Sequence, residues 1–142
     1  MANPLQTLQG RLPVALIAFC ILLVGETFQP DDVKILGDLE YGQSSGVVDY
    51  SPTPRFSAFL FSGLGGDQVD ITVKGDARKA LVVLADGALK QLASGTTHLS
   101  FQLPDKGPDA EAYYILFRDA EGKAARFTVD LKNLHSNRRA AK

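Results

Sequence analysis

Seven residues in the middle of the chain, Gln68–Lys74 (QVDITVK), constrain the fold most. Val69, Ile71 and Val73 fall on one parity, and Asp70 and Thr72 fall on the other. A period of two sends one face to a core and the other to water, the mark of a half-buried β-strand. Gly63–Asp67 (GLGGD) precedes this strand and Gly75-Asp76 follows it, so both ends carry turn residues.

The same grammar recurs along most of the chain. Arg55–Ser62 (RFSAFLFS) is apolar on both parities, with Phe59 and Phe61 on one face and Phe56, Ala58 and Leu60 on the other. Ala80–Ala85 (ALVVLA) reads as a more fully buried strand that ends in Asp86-Gly87, a strong turn signal. Ala88–Ala93 follows as a short strand. Thr97–Leu103 turns Leu99, Phe101 and Leu103 inward. Glu111–Arg118 (EAYYILFR) buries Tyr113, Ile115 and Phe117 and carries Ala112, Tyr114 and Leu116 on its second face. Ala125–Leu131 places Phe127, Val129 and Leu131 on one side. No amphipathic helix of useful length interrupts this run. Six or seven short strands, each with an apolar face to bury, predict an all-β fold: a small antiparallel β-sandwich, jelly-roll-like in layout.

Before the strands lies a different kind of sequence. Leu12–Gly25 (LPVALIAFCILLVG) is a run of fourteen uncharged residues, preceded by Arg11 and ended by Glu26. Its length suits the apolar part of a secretory signal, and a membrane span wants about 20 residues. Residues 1–25 are therefore expected to be a signal peptide, with a retained membrane anchor as the alternative. Membrane contact is expected only if the segment is retained. Cys20 sits inside the run, between Phe19 and Ile21, which is no place for lipid attachment. It is the sole cysteine of the 142 residues. Disulfide and Cys-rich zinc frameworks are excluded, and a cleaved leader would leave no thiol behind.

Residues 26–54 form an acidic, partly irregular lead-in, with short extended pieces expected at Val33–Leu36 and Gly46–Tyr50. Ser51-Pro52-Thr53-Pro54 then makes a stiff connector. The sandwich core is expected over 55–131 and a basic flexible tail over 132–142. The 15 basic and 16 acidic residues nearly cancel. That balance excludes a polybasic nucleic-acid binder, and Arg138, Arg139 and Lys142 make only a small basic cluster.

Three stretches carry a likeness to a known family. Phe56–Gly75 resembles the aromatic strand, Gly-Asp turn and alternating strand that open bacterial pre-peptidase C-terminal domains. Val82–Gly95 resembles their strand ending in Asp-Gly, and His98–Leu131 their closing section with a Tyr-Tyr strand and a Phe-Thr-Val strand. The resemblance spans roughly Tyr41 to Leu131. It implies an extracytoplasmic β-sandwich that accompanies secreted enzymes and carries no catalytic residues of its own. Some members of such families bind calcium or matrix polymers. Here no catalytic domain is attached, so the partner would be a separate chain.

Few residues advertise chemistry. A hydrolase triad would have to combine Ser62 or Ser100 with His98 and an aspartate, and SGLGG around Ser62 contains no G-x-S-x-G elbow. His135 is the second histidine and falls in the tail. Glu40, Glu111 and Glu121 sit in no glycosidase-like motif. Gly63, Gly65 and Gly66 lack the lysine and hydroxyl residue of a phosphate loop. Asp67 and Asp86 are the candidate calcium ligands, because turn carbonyls stand beside both, although turn formation also explains them. Phe59, Phe61, Tyr113 and Tyr114 are the candidate binding-surface aromatics, with core burial as the competing role.

The expectation is a noncatalytic exported binding or structural module, periplasmic or secreted, contacting protein or polysaccharide and not nucleic acid. A calcium-stabilised accessory domain of a secreted enzyme system and a small secreted hydrolase are the rivals.

Overall fold

The structure is a computed structural model that describes residues 27–75 and 78–135. The leader with Cys20, Asp76, and the tail residues Arg138, Arg139 and Lys142 lie outside the described residues. Among the described residues no helix is long and apolar enough to cross a membrane.

The described residues form nine strands in two sheets. The first sheet runs in the order β1-β3-β8-β5-β6: β1 Val33–Asp38, β3 Phe56–Gly63, β8 Glu111–Asp119, β5 Ala80–Asp86 and β6 Gln91–Thr96. The second runs β2-β9-β4-β7: β2 Ser44–Tyr50, β9 Ala125–Asn133, β4 Gln68–Gly75 and β7 His98–Gln102. Every pairing is antiparallel except β1 with β3. The expected all-β sandwich is the fold the chain adopts.

The inward parity of each sheet builds one core. Phe59, Phe61, Val82, Leu84, Tyr113, Ile115 and Phe117 come from the first sheet, and Val69, Ile71, Val73, Leu99, Phe127, Val129 and Leu131 from the second. Alternation in β4 therefore has its ordinary cause, since Val69, Ile71 and Val73 are all buried while Asp70 and Thr72 are not.

The acidic lead-in proves to be part of the sandwich and not a preface to it. β1 pairs with β3 and β2 with β9, and Leu39 and Tyr50 enter the core. The register shifts between Ile35 and Gly37 in β1 and between Ser44 and Val47 in β2. Those irregularities break the period of two, and an edge strand needs only one paired flank, so its sequence can stay charged. Such bulges also discourage other chains from adding to the sheet edge.

The hairpin β5–β6 is displaced from its expected position. Asp86 Oδ1 accepts from the amides of Ala88 and Lys90 at 2.9 and 3.0 Å, which makes residues 86–90 a turn. Leu89 takes φ +62 there and tucks into an apolar cluster. β6 consequently starts at Gln91.

At its other end β6 approaches β7 closely. A methyl group at Gly95 would fall 2.3 Å from the His98 carbonyl oxygen. Backbone cannot retreat as a flexible side chain can. Gly95→Ala is expected to cost roughly 1–3 kcal/mol, read from the urea midpoint. An unchanged midpoint would show that this corner yields freely.

Candidate binding surface

The outer face of the second sheet holds two of the residues considered for hydrolysis, His98 and Ser100, together with Asp70. Register sets Asp70 opposite Ser100 and Thr72 opposite His98. His98 Nε2 lies 2.6 Å from Asp70 Oδ1, so a His–Asp pair does form. Ser100 Oγ, however, accepts from Gln68 Nε2 at 3.0 Å, and Ser62 belongs to β3 in the other sheet. A nucleophilic serine needs its hydroxyl on the histidine base. The histidine here is 54% exposed and its near nitrogen is already engaged by the carboxylate. The arrangement is a cross-strand polar pair on a sheet face.

The two candidate calcium ligands are turn residues. Buried Asp67 takes the Tyr41 hydroxyl and the Leu64 amide on Oδ2, each at 2.8 Å, and so closes the turn between β3 and β4. Asp86 closes the turn between β5 and β6. Among the described residues no three His, Cys, Asp or Glu side chains gather as a metal site would require. Near this end of the sandwich a groove of about 610 Å³ runs past Asp38, Glu40, Tyr41 and Ser62. At the same end the Tyr113 hydroxyl pKa is raised, first by burial and then by Glu111, Asp86 and Asp67.

Three of the four candidate surface aromatics are corrected to core. Phe59, Phe61 and Tyr113 sit on the inward parity of β3 and β8, with Phe61 stacked on Tyr113 at 5.6 Å between centroids. Tyr114 lies on the opposite parity, half-buried against the outer cluster. A flat aromatic platform therefore does not form from these four.

The outer face of the first sheet is unusual. Phe56, Ala58, Val83, Ala85 and Leu116 are buried there although they point away from the main core. Phe28 and Leu89 cover them in part: the Phe28 amide donates to the Leu89 carbonyl at 2.9 Å, and the Phe28 ring meets Phe56 edge-on at 5.2 Å. Beside this cover a groove of about 380 Å³ remains. Phe28, Phe56, Leu81 and Val83 give it apolar lining, while Gln91, Ser94 and Thr96 supply polar groups.

Two arginines, Arg55 and Arg118, complete the lining. The Arg55 guanidinium carbon stands 4.9 Å from the Phe56 ring centroid, in cation–π range. The Arg55 carbonyl also accepts the buried Tyr50 hydroxyl at 2.6 Å, which ties its backbone to the core. Burial raises the Tyr50 pKa, and the nearby Arg118 partly offsets the rise. Sequence reasoning missed this groove because Phe28, Arg55, Leu81 and Arg118 are far apart in the chain. The available signal was the apolarity of both faces in β3 and β8.

The described residues thus form a nine-stranded sandwich whose first sheet is apolar on both sides. Among solved structures it is similar to the pre-peptidase C-terminal domain of a collagenase from Bacillus anthracis, with a TM-score of 0.53 and 12% identity over 75% of this chain and 100% of that one. It is also similar to PliG, a periplasmic inhibitor of g-type lysozyme. For PliG of Aeromonas hydrophila the TM-score is 0.49 at 11% identity, covering 70% of this chain and 99% of that one. For PliG of Salmonella Typhimurium it is 0.46 at 15% identity, covering 70% and 96%. No family model matches the sequence, and no curated protein matches it. At these identities the likeness is one of fold, and at that level the pre-peptidase C-terminal resemblance drawn from the residues holds.

Proposed function

We propose that the protein is a noncatalytic exported module that binds a partner protein through the outer face of its first sheet. The observation that carries this reading is the groove with apolar lining and two arginines on a face that a two-layer sandwich would ordinarily expose as polar. The apolar leader supports export to the periplasm or beyond. The collagenase domain supports an accessory role. Polysaccharide is the less suitable partner, because sugar rings stack on exposed aromatic planes and Phe59, Phe61 and Tyr113 are interior.

Capture from the extracytoplasmic fraction, using the exported chain as bait, tests the surface. Wild type and Asp70→Asn should retain the same protein, and Leu81→Asp, still folded by circular dichroism, should lose it at least tenfold. Equal retention by Leu81→Asp would overturn the assignment of the face.

We further propose that stability does not depend on calcium, because Asp67 and Asp86 already serve backbone amides of separate turns. Thermal midpoints in millimolar calcium and in chelator should agree within a degree. A rise of several degrees with calcium would establish a metal site.

A further inference from the structure

The described residues include four arginines, and two of them already have carboxylate partners. Arg78 pairs with Asp119, and Arg126 lies 3.4 Å from Asp49. Arg55 and Arg118 have no carboxylate partner among the described residues, and both line the outer-face groove. From this juxtaposition we infer that the groove takes an extended peptide segment of the partner carrying a carboxylate beside a bulky apolar side chain. The inference rests on the binding reading above and adds the chemistry of the occupant.

Arg118 supplies the first part of the argument. Its guanidinium lies near Gly122 and the Tyr50 hydroxyl. Its Nε is sealed from solvent and has no hydrogen-bond acceptor. Sealed as it is, the Nε does not meet a ligand directly; a carboxylate in the groove would pair with the guanidinium through its remaining N–H groups, which have no carboxylate partner among the described residues. Arg55 supplies the second. With its guanidinium held near the Phe56 ring, it offers a second cation to the same anion. A lone anion would need no apolar lining, yet Phe28, Phe56, Leu81 and Val83 provide one. An apolar side chain next to the carboxylate uses both halves of the groove.

The polar lining favours a peptide over a hydrocarbon chain. Gln91, Ser94 and Thr96 present donors and acceptors where a lipid tail would have none to match, and a peptide backbone matches them. The volume of about 380 Å³ falls within the ~300–1,000 Å³ of small-ligand sites, which suits a short segment and not a globular surface.

The test is an NMR titration of the exported chain with acetyl-Phe-Glu-Gly-amide and acetyl-Phe-Gln-Gly-amide. The glutamate peptide should shift the Arg118 Nε–H resonance and the amides of Ser94, Gly95 and Thr96. It should also bind at least tenfold more tightly than the glutamine peptide, a margin that shrinks in high salt. Arg118→Gln should abolish the margin and Arg118→Lys should restore part of it. Arg55→Gln, whose guanidinium stands over the Phe56 ring, repeats the measurement should Arg118→Gln fail to fold.

Equal affinity for the two peptides, or shifts confined to another surface, would overturn the inference. Decanoate producing these shifts while neither peptide does would overturn the peptide occupant in favour of an anionic amphiphile. If partner capture is lost in Leu81→Asp but unchanged in Arg118→Gln, the binding face stands and the carboxylate assignment fails.

Discussion

Phe117→Ala should destabilise the protein by about 3–5 kcal/mol, the range for truncating a fully buried aromatic. Phe117 lies on β8, flanked by β3 and β5, and is completely shielded from solvent. Its ring stacks with Phe59 at 6.2 Å and meets Phe127 edge-on at 6.0 Å, with Tyr50 at 6.5 Å. Those partners come from both sheets, so the cavity opens where the layers are joined. In a domain of this size each kcal/mol moves the thermal midpoint by roughly 4 °C, which makes the expected fall about 12–20 °C. Phe117→Leu should recover most of it. A fall of less than about 5 °C for alanine would mean that the ring does not bridge the sheets.

The second large effect belongs to Asp119, at the end of β8. Its buried carboxylate accepts from Arg78 Nε and Nη2 and from the amides of Glu121 and Lys123 at 3.0 Å each. Asp119→Ala would strand two turn amides and a guanidinium together, at a cost of about 3 kcal/mol, toward the low end for a broken buried pair because Arg78 keeps some access to water. Double-mutant analysis with Arg78→Ala should show strong coupling. Independent, additive effects would remove Arg78 from the account.

The same site sets an acid limb. The Arg78 hydrogen bond, followed by those of the Lys123 and Glu121 amides, holds the Asp119 carboxyl well below its ordinary value of 3.8, against the opposing effect of burial. A depressed pKa in the folded state contributes stability that is fully present above the unfolded value and is lost as pH falls toward the folded one. Wild type should therefore lose stability progressively below about pH 4. Asp119→Asn should start less stable at pH 7 and show a shallower slope over that acid interval. Parallel slopes for the two proteins would place the acid sensitivity elsewhere.

The alternating segments were legible because each strand answers to a local rule. Val69, Ile71 and Val73 declare their face by spacing alone, and β4, β8 and β9 begin where the pattern begins. β1 and β2 obey a different rule. Their place is set by backbone pairing to β3 and β9, and their charged, bulged sequences carry no period to read. Leu89 shows the same limit on a smaller scale. Its positive φ belongs to a turn that Asp86 closes, so the strand after it was expected too early.

The candidate site follows the same division. Sequence placed Asp67 and Asp86 at turns, and that is where their carboxylates work. It also flagged aromatic residues on both parities of β3 and β8. Parity distinguishes two faces but does not say which face meets the other sheet. That choice buried Phe59, Phe61 and Tyr113 and left Phe56 and Tyr114 on the outer side.

By itself, then, the sequence determined the all-β class and the strand-and-turn order, because these depend on neighbours two to five residues apart. Tertiary structure alone decided that the acidic lead-in completes both sheets and that Phe28 packs over the outer face. It also decided that Arg55 and Arg118 share one groove there. Those relations join residues tens of positions apart, through backbone pairing and packing that no local period encodes.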